Sequence, residues 1–318
     1  MTEITPWHWT GFIVCILIFI ALDLGAFHRR PRVVKMAEAA GWSAVWFALA
    51  TLFAGLMWHW RGREAAAQFF TGYIIELSLS LDNLLVIALI FASFKVAAEL
   101  QHRVLVWGIL GALVMRGAMI AAGAALIHRF EWVLYLFGAF LVFAGVKMLF
   151  EKQNNLEPEK NPVLRLARKC FPVAPGFDGQ KFLTRINGRP ALTLLALVLL
   201  LVETTDLIFA VDSVPAVFSV TRQAFIVFTS NVFAILGLRS LYFLLAGALG
   251  CFRYLKIGLA VVLVFIGVKM LLDPHAGPAN PFQMEISTGT SLLVVAAILA
   301  LAIVLSPTAA RRERSVSR

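Results

Sequence analysis

The chain has 318 residues, of which 60% are hydrophobic and 14% charged, with a formal net charge of +10. Apolar runs of about 20 residues recur along it, each long enough to cross a hydrocarbon core of about 30 Å as a helix; this excludes a soluble globular domain and gives an all-α polytopic membrane protein. The basic balance does not point to nucleic acid, because Lys and Arg collect in loops on one side of the expected spans.

Nine transmembrane spans are expected, at 8–27, 42–60, 69–94, 104–127, 131–150, 191–220, 223–248, 254–272 and 288–306. The first is not a cleavable leader: no basic stretch precedes it, and Trp9–Phe27 is long enough to remain in the bilayer. Near its end lies Asp23, which either lines an inner vestibule or caps the span beside His28, Arg29 and Arg30. Placing the first loop inside puts twenty Lys and Arg on that side and four on the other, so the N-terminus is expected outside and the C-terminus in the cytoplasm. Trp7, Trp9, Trp58, Trp60 and Trp132 fall near span ends, where interfacial aromatic belts form. The organisation read from these features is spans 1–2 over 1–68, a three-helix unit over 69–150, a basic cytoplasmic loop over 151–190, a second three-helix unit over 191–273, and a final span with a basic tail over 274–318. The 151–190 segment reads as a Pro- and Gly-punctuated linker carrying one surface helix, 163–169.

Span 3 contains Glu76-Leu-Ser-Leu-Ser-Leu-Asp82-Asn83, and span 6 contains Asp206-Leu-Ile-Phe-Ala-Val-Asp212-Ser213. Each is a carboxylate, five residues, an Asp and a small polar residue. The match continues: Arg116 in span 4 corresponds to Arg239 in span 7, and Gly145-Val-Lys147-Met-Leu to Gly267-Val-Lys269-Met-Leu. Each unit therefore holds three helices, spans 3-5 and 6-8. Three is odd, so the second unit enters the bilayer inverted, as in secondary transporters that bind substrate near the midplane between repeats.

Ionisable groups at bilayer depth are expensive and mark ion or substrate paths by default. Glu76, Asp82, Asn83, Glu203, Asp206 and Asp212 are the candidate metal ligands, with Ser213, Asn231, Thr204 and Thr205 as neighbouring oxygen donors. Carboxylate, amide and hydroxyl oxygens suit a hard dication such as Mg²⁺, Ca²⁺ or Mn²⁺. All six histidines lie at span ends or in loops, and Cys15, Cys170 and Cys251 form no CxxC pair, which disfavours zinc, copper or a disulfide framework; no prosthetic group is expected. The cations read mainly as charge partners: Arg116 and Arg239 as tethers for carboxylates, Lys147 and Lys269 as snorkelling residues near span ends. A spacing of six turns a helix through about 600°, so both carboxylates of one motif cannot share a face. Either one of them meets a cation on another helix, or the helix breaks, for which Pro215 is the expected cause in span 6.

Leu-Ser-Leu-Asp82-Asn83-Leu, Val202-Glu203-Thr-Thr-Asp206-Leu-Ile-Phe-Ala-Val-Asp212-Ser213-Val-Pro215-Ala and Thr229-Ser-Asn231-Val-Phe-Ala-Ile-Leu-Gly-Leu-Arg239 together resemble the TerC/Alx family of integral membrane proteins, over nearly the whole chain. The length and nine-span plan resemble its Alx-like branch. The resemblance implies a bacterial inner-membrane protein that exports Mn²⁺, with Glu76, Asp82, Asn83, Glu203, Asp206 and Asp212 carrying the metal. Its partners would be the bilayer, the divalent ion and, as a natural coupling scheme, protons; the oligomeric state is not encoded. The alternative is a membrane scaffold or a redox or metal-stress modulator, linked to tellurium resistance, whose buried charges are structural. An intramembrane aspartyl protease is not expected, because neither motif contains Gly-x-Gly-Asp.

Overall fold

A computed structural model describes residues 4–27, 36–150, 161–186, 188–246, 253–273 and 286–316, leaving aside the side chains of 22–27, 246, 253–255, 303 and 306–316. Ten helices and one hairpin follow in the order α1 (Pro6–Phe27), α2 (Met36–Arg61), α3 (Arg63–Ser93), α4 (Ala98–Arg129), α5 (Val133–Phe150), α6 (Pro162–Cys170), β1 (Leu183–Ile186), β2 (Arg189–Leu192), α7 (Leu194–Phe218), α8 (Ala224–Ala246), α9 (Arg253–Leu272) and α10 (Thr288–Val316). Each of the nine expected spans overlaps one helix, although the span expected from 191 begins in β2 and its helix, α7, starts at Leu194. Among the described residues α2, α3, α4, α5, α7 and α8 are long and apolar enough to cross a membrane, while α1 and α10 carry shorter apolar stretches, Pro6–Ala21 and Thr288–Ala302. Several helices extend past the expected apolar limits. α3, for example, begins at Arg63 rather than near 69, because a helix continues through the interface wherever its side chains can be solvated.

The distribution of side chains is that of a membrane protein. Leu52, Val114, Ile208 and Leu293 are 62% or more exposed on helix flanks, whereas Glu76, Arg116 and Asp206 are at most 4% exposed. These apolar side chains face outward and these three charges lie inside, as a lipid solvent requires. Trp7, Trp58 and Trp132 are exposed near helix ends, where indole rings are favoured.

α3 packs on α8, α2 and α7; α4 packs on α7; and α5 packs on α9. The helix directions follow from which residues meet. Asn83 reaches Asp206 and Gly72 lies against Val217, so α3 and α7 are antiparallel. Gly108 lies against Val202 and Gly123 against Phe218, so α4 and α7 are parallel. Gly138 faces the Gly267 carbonyl and Gly145 the Ala260 carbonyl, so α5 and α9 are antiparallel and in close backbone contact. Small residues permit this approach, which supplies packing where no hydrophobic force acts between helices.

Two expectations are corrected. Both acidic-motif helices run unbroken through their motifs. Pro215 lies in the last turn of α7, where losing one N–H leaves only one carbonyl unpaired, and the helix ends three residues later at Phe218. The described part of the segment expected as a linker, 161–186 and 188–190, is folded, and 151–160 lies outside the described residues. Asn161 caps α6 by accepting from the Val163 and Leu164 amides, with Pro162 in the first turn. The β1–β2 hairpin pairs Leu183 with Leu192, and Gly188, at φ 77°, sits in its turn. Thr193 then joins hairpin to helix: its hydroxyl donates to the Lys181 carbonyl at 2.8 Å and accepts from the Ala196 amide at 3.3 Å, capping α7. The surface helix over 163–169 is present as α6, anchored by buried Leu164 against the α7 cluster.

Candidate functional site

Arg116 is the centre of the buried polar interior. Its side chain leaves α4 between α3 and α7 and is 2% exposed. Nε donates to Asp206 Oδ2 at 3.1 Å and Nη2 to Asp206 Oδ1 at 2.9 Å, a bidentate pair. Nη1 donates to Ser213 Oγ at 3.2 Å and forms an ion pair with Glu76. Asn83 adds a second hydrogen bond to Asp206 Oδ1, from Nδ2 at 2.7 Å. One residue of each acidic motif, Glu76 and Asp206, is thus drawn to one guanidinium. A planar fork of donors matches this task, and a Lys could not reproduce it. Of the two resolutions to the six-residue spacing, the structure takes the partner-helix one: Glu76 and Asp206 face the guanidinium, and Asp82 and Asp212 point elsewhere and are half-buried.

The remaining carboxylates are held less firmly. Asp82 and Asp212 make no hydrogen bond or close ion pair among the described residues; Lys256 acts on the first, and Lys147 on the second, through space. Glu203 lies one turn before Asp206, with its carboxylate packed on Gly111 of α4, where any Cβ would collide with it. Gly111 is a residue the sequence reading missed; the Gly108-Ile-Leu-Gly111 spacing in span 4 was the available signal for a close approach. Ser80 Oγ, Asn83 Oδ1 and Glu203 Oε2 are buried without a hydrogen-bond partner among the described residues. Orphaned buried oxygens are rare, and a site for water or an ion is one of their few explanations. Thr204 and Thr205 instead donate to the Leu200 and Leu201 carbonyls of their own helix. Among the described residues, no three His, Cys, Asp or Glu side chains are grouped closely enough to hold a metal.

The other expected residues separate. Arg239 and Asn231 are buried on α8. Lys147 is exposed, as a snorkelling residue should be. Lys269 is not: it is 4% exposed and lines an open cavity of about 530 Å³ with Glu64, Asp273 and Thr288. It lies within the field of Asp273 and Glu64. Asp23 falls on α1, and its side chain lies outside the described residues.

Long apolar helices surrounding a charged, lipid-shielded interior define a polytopic integral membrane protein. The family described as "Integral membrane protein TerC family" matches residues 61–314. The chain is 49% identical over 302 residues to an uncharacterized membrane protein of Myxococcus xanthus, covering 95% of this chain and 92% of that protein. It is 48% identical over 277 residues to Alx of Escherichia coli K12, covering 84% of this chain and 86% of Alx, a protein named provisionally as a membrane-bound redox modulator. A protein of Photorhabdus laumondii with the same name is 42% identical over 311 residues, covering 95% of each chain. No solved structure gives a significant match. The chain belongs to the TerC family of integral membrane proteins.

Proposed function

We propose that this protein is a non-enzymatic divalent-cation exporter, with Mn²⁺ as its first substrate, which works by alternating access in a bacterial inner membrane with its N-terminus outside. The observation that carries this reading is the meeting of Glu76 and Asp206 across the antiparallel α3 and α7, beside the unpartnered oxygens of Ser80, Asn83 and Glu203. These are ligands for a hard cation. Manganese rests on the resemblance to Alx-like members, and the orientation rests on the loop charges. The inverted relation of α3–α5 to α7–α9 is supported by exchange of contacts. Shifting each member of the Asn83–Asp206 pair to its motif counterpart gives Ser213 and Glu76, which share Arg116. Shifting Gly138–Gly267 in the same way gives Ala260–Gly145. Exchange against protons is the coupling scheme such carboxylates favour.

The test is Mn²⁺ uptake into inverted vesicles across an imposed pH gradient, with Mg²⁺ and Ca²⁺ in parallel. Asp82→Asn and Asp212→Asn should insert and extract like the wild type, because neither residue is tied into the Arg116 network, yet transport should fall to background. Equal Mn²⁺ accumulation in cells carrying the wild type and Asp212→Asn overturns the exporter reading and leaves the modulator reading suggested by the name of the Alx relatives. Gly111→Ala is a subtler probe. The three atoms nearest the added methyl all belong to the flexible end of Glu203, so the fold should hold while the carboxylate shifts, and uptake should drop by about tenfold or more. Wild-type rates in Gly111→Ala would remove Glu203 from the path.

A further inference from the structure

We infer that Arg116 is a tethered internal counter-ion that occupies the Glu76–Asp206 pair in place of the cargo and must leave it whenever a dication binds. The inference rests on the cation-exporter reading and adds to it how the empty site is kept. The guanidinium takes both Asp206 oxygens, Glu76 and Ser213 at once, at 2% exposure. Arginine does not lose its proton in proteins, so this charge cannot be removed by titration; only movement clears the pair. A dication seated between the same two carboxylates would stand within a few ångströms of the guanidinium, and like charges at that distance in a poorly solvated interior repel strongly. Occupancy by Arg116 and by cargo is therefore mutually exclusive.

The charge count gives the arrangement a use. Two carboxylates and one guanidinium leave the unloaded cluster at −1, and two carboxylates with a dication make the loaded cluster neutral. Without Arg116 the unloaded carrier would expose two uncompensated buried carboxylates during its return, which lipid-shielded protein does not tolerate.

The experiment compares Mn²⁺ affinity, read as loss of the free Mn²⁺ paramagnetic signal in detergent-purified protein, with Mn²⁺ uptake by inverted vesicles. Arg116→Gln should bind Mn²⁺ at least about tenfold more tightly, from removal of the repulsion, while uptake falls to background because the empty carrier cannot return. Ser213→Ala removes one bond from the guanidinium without touching either carboxylate, and should tighten Mn²⁺ binding a few-fold. Unchanged or weaker binding in a folded Arg116→Gln protein overturns the inference, as does wild-type uptake by that variant. If Arg116→Gln yields no folded protein, Ser213→Ala decides: unchanged affinity there overturns it. A wild-type protein that neither binds nor transports Mn²⁺, Mg²⁺ or Ca²⁺ overturns the exporter reading itself, whereas wild-type transport with variant affinities unchanged overturns only the counter-ion.

Discussion

Glu76→Gln and Asp206→Asn, each tolerated alone, are expected to abolish folding when combined. In either single variant Arg116 keeps one carboxylate. The loss is then that of a charged hydrogen-bonding partner, about 1.5–3 kcal/mol. In the double variant a guanidinium that is 2% exposed keeps only amide and hydroxyl oxygens. It cannot discharge itself by losing a proton; leaving a buried charge without an ionic partner costs about 3–5 kcal/mol, and the coupling beyond the sum of the separate deletions should be about 0.5–3 kcal/mol. The measurement is the yield of monodisperse protein after detergent extraction, with the unfolding midpoint in an SDS titration for variants that survive. Additive losses in the double variant would mean that the two carboxylates do not share one cation. Asp212→Asn is the control, because its carboxylate is half-buried and outside the network.

The second large effect is expected at the α5–α9 crossing. A Cβ on Gly267 would stand 2.7 Å from the Gly138 carbonyl and 2.8 Å from the Val142 amide; one on Gly145 would stand 2.8 Å from the Ala260 carbonyl. These obstacles are backbone, so the helices must separate. Each Gly→Ala change should cost about 1–3 kcal/mol, the usual range for overpacking, and Gly267→Val more. Gly41→Ala and Gly55→Ala meet nothing within 4 Å and should be neutral or slightly stabilising, since Ala is the better helix former. The readout is again the unfolding midpoint; Gly267→Ala with the stability of Gly55→Ala would show that the close approach is dispensable.

The helices were legible because the signal for a membrane span is simple: about twenty apolar residues in a row. The surface helix at 163–169 was legible from local composition, and the Asn161–Pro162 cap confirms its start. The hairpin was missed although Asn187-Gly188 between short runs is a strong turn signal; a basic loop in a membrane protein reads first as a topology marker. The expected break at Pro215 was wrong because sequence does not show how many turns of helix follow a proline. Lys147 and Lys269 occupy equivalent motifs, yet one is exposed and the other buried. A span apolar on every face carries no stripe to say which side meets a neighbour, so local pattern could not separate them.

By itself the sequence determined that this chain is an all-helical membrane protein, that charges lie within its spans, and that two stretches repeat one acidic motif. Each of these is a local property, fixed by the cost of exposing polar groups to lipid. Only the tertiary structure decided that Glu76 and Asp206 share Arg116, that Glu203 rests on Gly111, and that Asp82 and Asp212 stand apart. Such pairings depend on the rotation and register of one helix against another. Those are set by close small-residue contacts such as Gly138–Gly267 and Gly72–Val217, between residues more than a hundred positions apart in the chain.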